Sequence, residues 1–182
     1  MQERTVYLLL TRSSTWVSRL IHFATGDMYT HVSIGLDGPQ GAFYSFGRKY
    51  RYLALPGGLV MESAVARLGT TPCCLCKLSI SDAMYLQLRQ QICSMYTQRK
   101  EYHYNLLGLF ACFFNLSVSR SRHYFCSQFV ATILEGCGAI RLPKPAGLFH
   151  PADFCQIGEL QIVYQGPANG IFVLKNTEAA AC

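Results

Sequence analysis

Two residues of this chain, Cys126 and His31, have the types and settings that thiol chemistry needs. Cys126 stands in Tyr124-Phe125-Cys126-Ser127-Gln128-Phe129-Val130, where it opens an amphipathic helix. His31 stands far upstream in Tyr29-Thr30-His31-Val32-Ser33-Ile34, a short β-branched strand. The thiolate, not the thiol, is the nucleophile, and a helix N-terminus and a nearby imidazole both favour that anion. The competing reading is packing: a free cysteine behaves as a small hydrophobe, and the stripe Cys126, Val130, Ile133, Cys137 could be core. Position at the mouth of the helix favours chemistry, as do the polar neighbours Ser127 and Gln128, which imply an accessible first turn.

The elements around these residues follow from periodicity and turn chemistry. A strand is expected over Thr5 to Thr11. Ser13-Ser14-Thr15 then cap a helix that carries Trp16, Val17, Leu20, Ile21 and Phe23 and stops at Gly26-Asp27. In the strand Thr30 to Leu36, Val32, Ile34 and Leu36 share one face and His31, Ser33 and Gly35 the other. Small neighbours on the His31 face would let a helix, and its thiol, come close. The turn Asp37 to Gly41 returns the chain into a hairpin partner, Ala42 to Gly47. Further strands are expected near Leu59 to Ser63 and Pro72 to Ser79. A helix then runs from Ser81-Asp82 to about Lys100, with cations in its last turn. A second, apolar helix covers about Asn105 to Leu116, and the Cys126 helix ends at Gly136-Cys137-Gly138. A terminal hairpin, Glu159 to Gln165 with Gly170 to Leu174, completes an α+β chain, read as one domain over residues 1–182 with a frayed tail at 175–182.

A third group must orient the imidazole. The strand paired with that of His31 offers Ser45 first, or Tyr44 if the register slips by one; Glu62 is a carboxylate on the next strand. The remaining histidines fit worse, His22 lying within a helix and His103, His123 and His150 in loops or at element edges.

Four segments in order carry a family resemblance. The opening with Tyr29-Thr30-His31-Val32-Ser33-Ile34, then Tyr44-Ser45-Phe46-Gly47-Arg48-Lys49, Asn105-Leu106-Leu107-Gly108-Leu109 and Tyr124-Phe125-Cys126-Ser127-Gln128-Phe129-Val130 together resemble the permuted NlpC-type papain-like hydrolases, specifically the bacterial YiiX-like group. The similarity spans about Thr5 to Leu174, and the histidine precedes the cysteine, the reverse of papain. The resemblance implies a circularly permuted papain-like fold, an antiparallel sheet or half-barrel packed against helices. It also implies Cys126 as nucleophile and His31 as base. Many YiiX-like proteins place an acidic residue on the strand after the histidine, where this chain has Tyr44-Ser45.

The expected activity is that of a thiol hydrolase acting on a small amide or peptide. A lipid acyltransferase or phospholipase like the lecithin:retinol acyltransferase branch is the alternative, favoured by the apolar Leu106 to Leu116 segment. A papain-like module that only binds is the third. Arg120 and Arg122, in the loop before Cys126, could form an anion-binding rim for substrate. Tyr102, Tyr104 and the Phe110 to Phe114 run read most simply as core.

Cys73-Cys74-x-Cys76 invites a zinc reading, but on a strand Cys73 points away from the other two and structural zinc wants four ligands; no metal or cofactor is expected. Half of the 182 residues are hydrophobic and 13% aromatic, enough for a substantial core and too much for disorder. The net charge of +6 permits an acidic partner or peripheral membrane contact without demanding either, and no nucleic-acid partner is expected. Nine cysteines, odd in number and without an export signal ahead of them, point to a reduced, cytoplasmic setting. No apolar run is long enough to span a bilayer.

Overall fold

A computed structural model describes residues 3–12, 22–23, 26–48, 57–63 and 69–173. In chain order its elements are β1 (Glu3–Thr11), β2 (His31–Gly35), β3 (Ala42–Arg48), β4 (Gly57–Ser63), β5 (Pro72–Ser81), α1 (Asp82–Thr97), β6 (His103–Tyr104), α2 (Leu106–Phe113), β7 (His123–Tyr124), α3 (Cys126–Gly136) and β8 (Gln161–Pro167). This is an α+β architecture. The helix expected over Thr15 to Phe23 lies outside the described residues except at His22 and Phe23, as does the tail beyond residue 173.

Six strands form one antiparallel sheet in the order β4-β3-β2-β1-β5-β8. β1 reads as a continuous apolar run because both of its faces are covered. Val6, Leu8 and Leu10 join a large core shared with Val32, Ile34, Phe46, Leu88, Ile92, Phe129 and Val130. Leu9 packs on the opposite face with Phe43, Leu75, Ala168 and Ile171. Ser81 caps α1 by accepting the Met84 N–H at 3.3 Å, which fixes how that helix lies on the sheet.

Three expectations are corrected. Among the described residues the terminal hairpin does not form: β8 pairs with β5, and Ala168–Val173 is a 3-10 helix that brings Ala168 and Ile171 under the second face, Leu174 lying outside the described residues. α1 stops at Thr97, so Arg99 and Lys100 fall in the following 3-10 turn, from which Arg99 still donates to the Tyr96 carbonyl at 3.3 Å. Finally, α3 does not approach β2 over its small residues. It packs on the Val32 and Ile34 side, while the space above Gly35 is filled by the Phe43 ring, whose Cε1 lies 2.8 Å from where a Gly35 side chain would begin.

Gly35→Ala therefore overpacks this contact and should lower stability by about 1–2 kcal/mol, read as a drop in the urea midpoint at unchanged slope. Phe43→Leu in the same chain should recover part of that loss. Equal stability of Gly35→Ala and the unaltered protein would contradict the packing described.

Candidate active site

Cys126 is the first residue of α3 and is 3% exposed. The two-residue strand β7 leads directly into it and pairs in parallel with β6, which sets Tyr104 beside Tyr124. Phe125 occupies the N-cap and makes no side-chain cap bond, so no cap side chain competes for the leading N–H groups of the helix.

His31 is the first residue of β2, at the end of the strand rather than within it. Its Nε2 lies 3.0 Å from Oε1 of Glu62 on β4, and the Cys126 thiol is near enough to the imidazole to help raise its pKa. The three sequence candidates thus meet: thiol, imidazole and carboxylate. The Glu62 contact crosses β3 above Gly47. A side chain begun at Gly47 would lie 3.6 Å from Glu62 Oε1 and 3.9 Å from His31 Cε1.

The preference for Ser45 as the orienting group is corrected by this geometry. Ser45 is fully buried and its hydroxyl donates to the Val32 carbonyl at 2.6 Å. It therefore ties β3 to β2 rather than holding the imidazole. Tyr44 is not the partner either, since its ring packs edge-on against Tyr96 at 5.6 Å. Glu62, the alternative on the next strand, makes the contact, its carboxylate passing beside Gly47.

The charges reinforce one another. Burial works to lower the His31 pKa, but the Glu62 carboxylate and the bond to Cys126 outweigh it, and the pKa stands well above 6.5. Burial works to raise the Glu62 pKa, and the charge and hydrogen bond of His31 more than reverse that. Stability from His31 is complete below its ordinary 6.5 and is lost as pH rises through the raised value. Stability from Glu62 is complete above its ordinary 4.5 and is lost as pH falls through the lowered value. With the two side chains 17% and 41% exposed, water screens the pair and limits its worth.

Tyr104 is a site neighbour that sequence reasoning assigned to core. Burial, and secondarily the charge of Cys126, push its pKa well above 10, so its hydroxyl keeps its proton beside the thiol. The ring fits because β4 has Gly57 there, where an added side chain would lie 2.9 Å from the Tyr104 Cβ. The spacing Tyr104-Asn105 and Tyr124-Phe125-Cys126 held the only clue, and it emerges once β6 and β7 are seen to pair.

The first turn of α3 is not the accessible polar turn expected. Ser127 and Gln128 are buried. Ser127 Oγ donates to the Phe149 carbonyl at 2.6 Å, and Gln128 Oε1 accepts from Asn105 Nδ2 at 3.2 Å. Asn105 also donates to the Val118 carbonyl at 3.1 Å and accepts the Gly108 N–H at 3.0 Å, capping α2. These bonds fix the helix that carries the thiol.

Arg122 is drawn from its expected role by an ion pair with Glu101; Arg120 is exposed on the same loop. In β5 Cys73 packs on one face of the sheet while Cys74 and Cys76 sit on the other, their sulfurs 3.8 Å apart. Among the described residues no group of three or more His, Cys, Asp or Glu side chains is arranged to hold a metal ion. Also among them, no helix is long and apolar enough to cross a membrane. No protein-family model matches the chain, and no curated protein matches it by sequence.

Two measurements probe this geometry. In an NMR titration, Glu62→Gln should move the His31 midpoint down from its raised position; an unmoved midpoint would remove Glu62 from the pair. Asn105→Ala deletes the α2 cap and leaves the Gln128 carbonyl and the Val118 carbonyl without their donor, which should cost about 2–4 kcal/mol in urea unfolding. A loss below about 0.5 kcal/mol would show that the network is dispensable.

Proposed function

We propose that this protein is a thiol hydrolase of the permuted papain-like kind, opening a small amide or peptide bond through a thioester on Cys126. The observation that carries the reading is the imidazole of His31, bonded to a carboxylate and set close to a thiol at a helix start. Glu62 engages Nε2, so Nδ1 is the nitrogen left to exchange a proton with Cys126. The Cys126 sulfur attacks the acyl carbon as its proton passes to His31. The oxyanion is received by the leading N–H groups of α3. His31 then gives its proton to the departing amine, and water, deprotonated by the same imidazole, releases the acid.

A carboxylate in the third position weighs against a module that only binds. A second acyl substrate class has its own support: Leu107, Phe110 and Phe114 on and just after α2, with Leu116, are exposed, an apolar strip suited to a lipid acyl donor.

Intact-mass spectrometry separates these readings. Peptide amides or esters offered to the protein should leave an acyl adduct on Cys126, and lipid acyl donors should do so only if the second class holds. Cys126→Ala should abolish turnover, a loss of at least about 10³-fold, with its melting temperature kept within a few degrees. Full activity in Cys126→Ala would sink the proposal. So would alkylation of Cys126 at pH 6 that His31→Ala leaves unchanged.

A further inference from the structure

A second thiol, imidazole and carboxylate stand in line away from Cys126. Cys112 Sγ on α2 lies 3.4 Å from Nε2 of His150, and Nδ1 of the same ring lies 3.4 Å from Oδ2 of Asp27. The three come from distant parts of the chain and occupy both ring nitrogens. They form a chain of contacts, not a set converging on one point. The order is informative. In the tautomer with the ring proton on Nδ1, toward the carboxylate, the Nε2 lone pair faces the thiol.

The imidazole is firmly seated. The His150 N–H donates to Asp153 Oδ2 at 2.6 Å, opening the 3-10 helix Pro151–Gln156, and Lys144 Nζ holds the same carboxylate oxygen at 2.7 Å. One residue earlier, the Phe149 carbonyl accepts from Ser127 on α3. Asp27 is positioned through its own carbonyl, 2.7 Å from His22 Nδ1. His150 and Asp27 keep 24% and 22% of their side-chain surface, so small solutes reach the edge of the cluster.

We infer that Cys112, His150 and Asp27 form a second nucleophilic site, at which Cys112 accepts a short acyl group from a thioester. The new bond joins Cys112 Sγ to the acyl carbon, and the donor's carbon–sulfur bond breaks. The proton that His150 takes from Cys112 goes to the departing thiolate, so no electron is gained or lost and no further reactant is needed. The chain is short because Cys112 is only 7% exposed. This thiol works unlike the one at α3. Burial raises its pKa, with Lys144 lowering it and Asp153 raising it. Cys112 therefore rests as the neutral thiol and depends on its base during attack. The groups facing this site are Asp27, His150, Lys144 and Asp153, with His22 behind Asp27.

The inference is independent of the chemistry proposed for Cys126, and its test is run in a Cys126→Ala background. The probe is the S-acetyl thioester of N-acetylcysteamine, with intact mass and peptide mapping as readout and exposed Cys93 as the internal reference. The expected result is one acetyl group on Cys112. Its rate should fall by about tenfold or more in His150→Gln and by a smaller factor in Asp27→Asn. In the background protein, Cys112 labelling should also fall less steeply with acid than labelling of Cys93, which reacts through its thiolate without a base of its own. That pH profile serves where His150→Gln does not fold. An unlabelled Cys112, a rate untouched by His150→Gln, or a pH profile parallel to that of Cys93 would each reduce the cluster to packing.

Discussion

The imidazole of His31 meets a carboxylate two strands away, along a lane above β3. Gly47 leaves that lane open, and Ser45, the nearest polar group on the strand, is committed to the Val32 carbonyl. The contact fixes which carboxylate pairs with the ring and which nitrogen, Nε2, it engages.

The helix side of the site obeys a complementary constraint. A cysteine at a helix start is useful only if the helix cannot drift, and α3 has no capping side chain to define its first turn. Its position is set from outside instead. Ser127 is bonded to Phe149, Gln128 to Asn105, and the β6–β7 pair joins the residues just before both helices. Every one of these polar groups is buried and partnered, and a satisfied buried network gives a fixed geometry where apolar packing alone would leave slack. Asn105 is the joint: one side chain caps α2, holds the loop at Val118 and braces α3.

Most of the strands and helices were legible from local pattern, because the alternation in β2, the Ser81 cap and the amphipathic spacing of α3 are properties of neighbouring residues. Cys126 and His31 were legible for the same reason, each announced by its own segment. What escaped depends on pairs distant in sequence. Glu62 could be named as a carboxylate but not chosen, since the choice rests on β3–β4 register and the emptiness above Gly47. Ser127 and Gln128 looked solvent-facing because polarity was taken for exposure, whereas both are buried with partners. The chain's end read as a second hairpin strand, yet Ala168 and Ile171 serve better as a lid on Leu9 and Leu75. The line of Cys112, His150 and Asp27 had no local signature at all.

Among the described residues, Glu62 belongs to a terminal strand of the sheet, hydrogen-bonded to β3 alone. Outer strands open at a lower free energy than the centre, where β1 is zipped along its length to β5. The carboxylate that holds His31 is thus mounted on a more easily released part of the sheet than the thiol's own helix. Fraying of one hairpin would free the imidazole while the core stays closed. Loss of the His31–Glu62 contact and unfolding become separate events, and warming should loosen that contact well before it melts the protein.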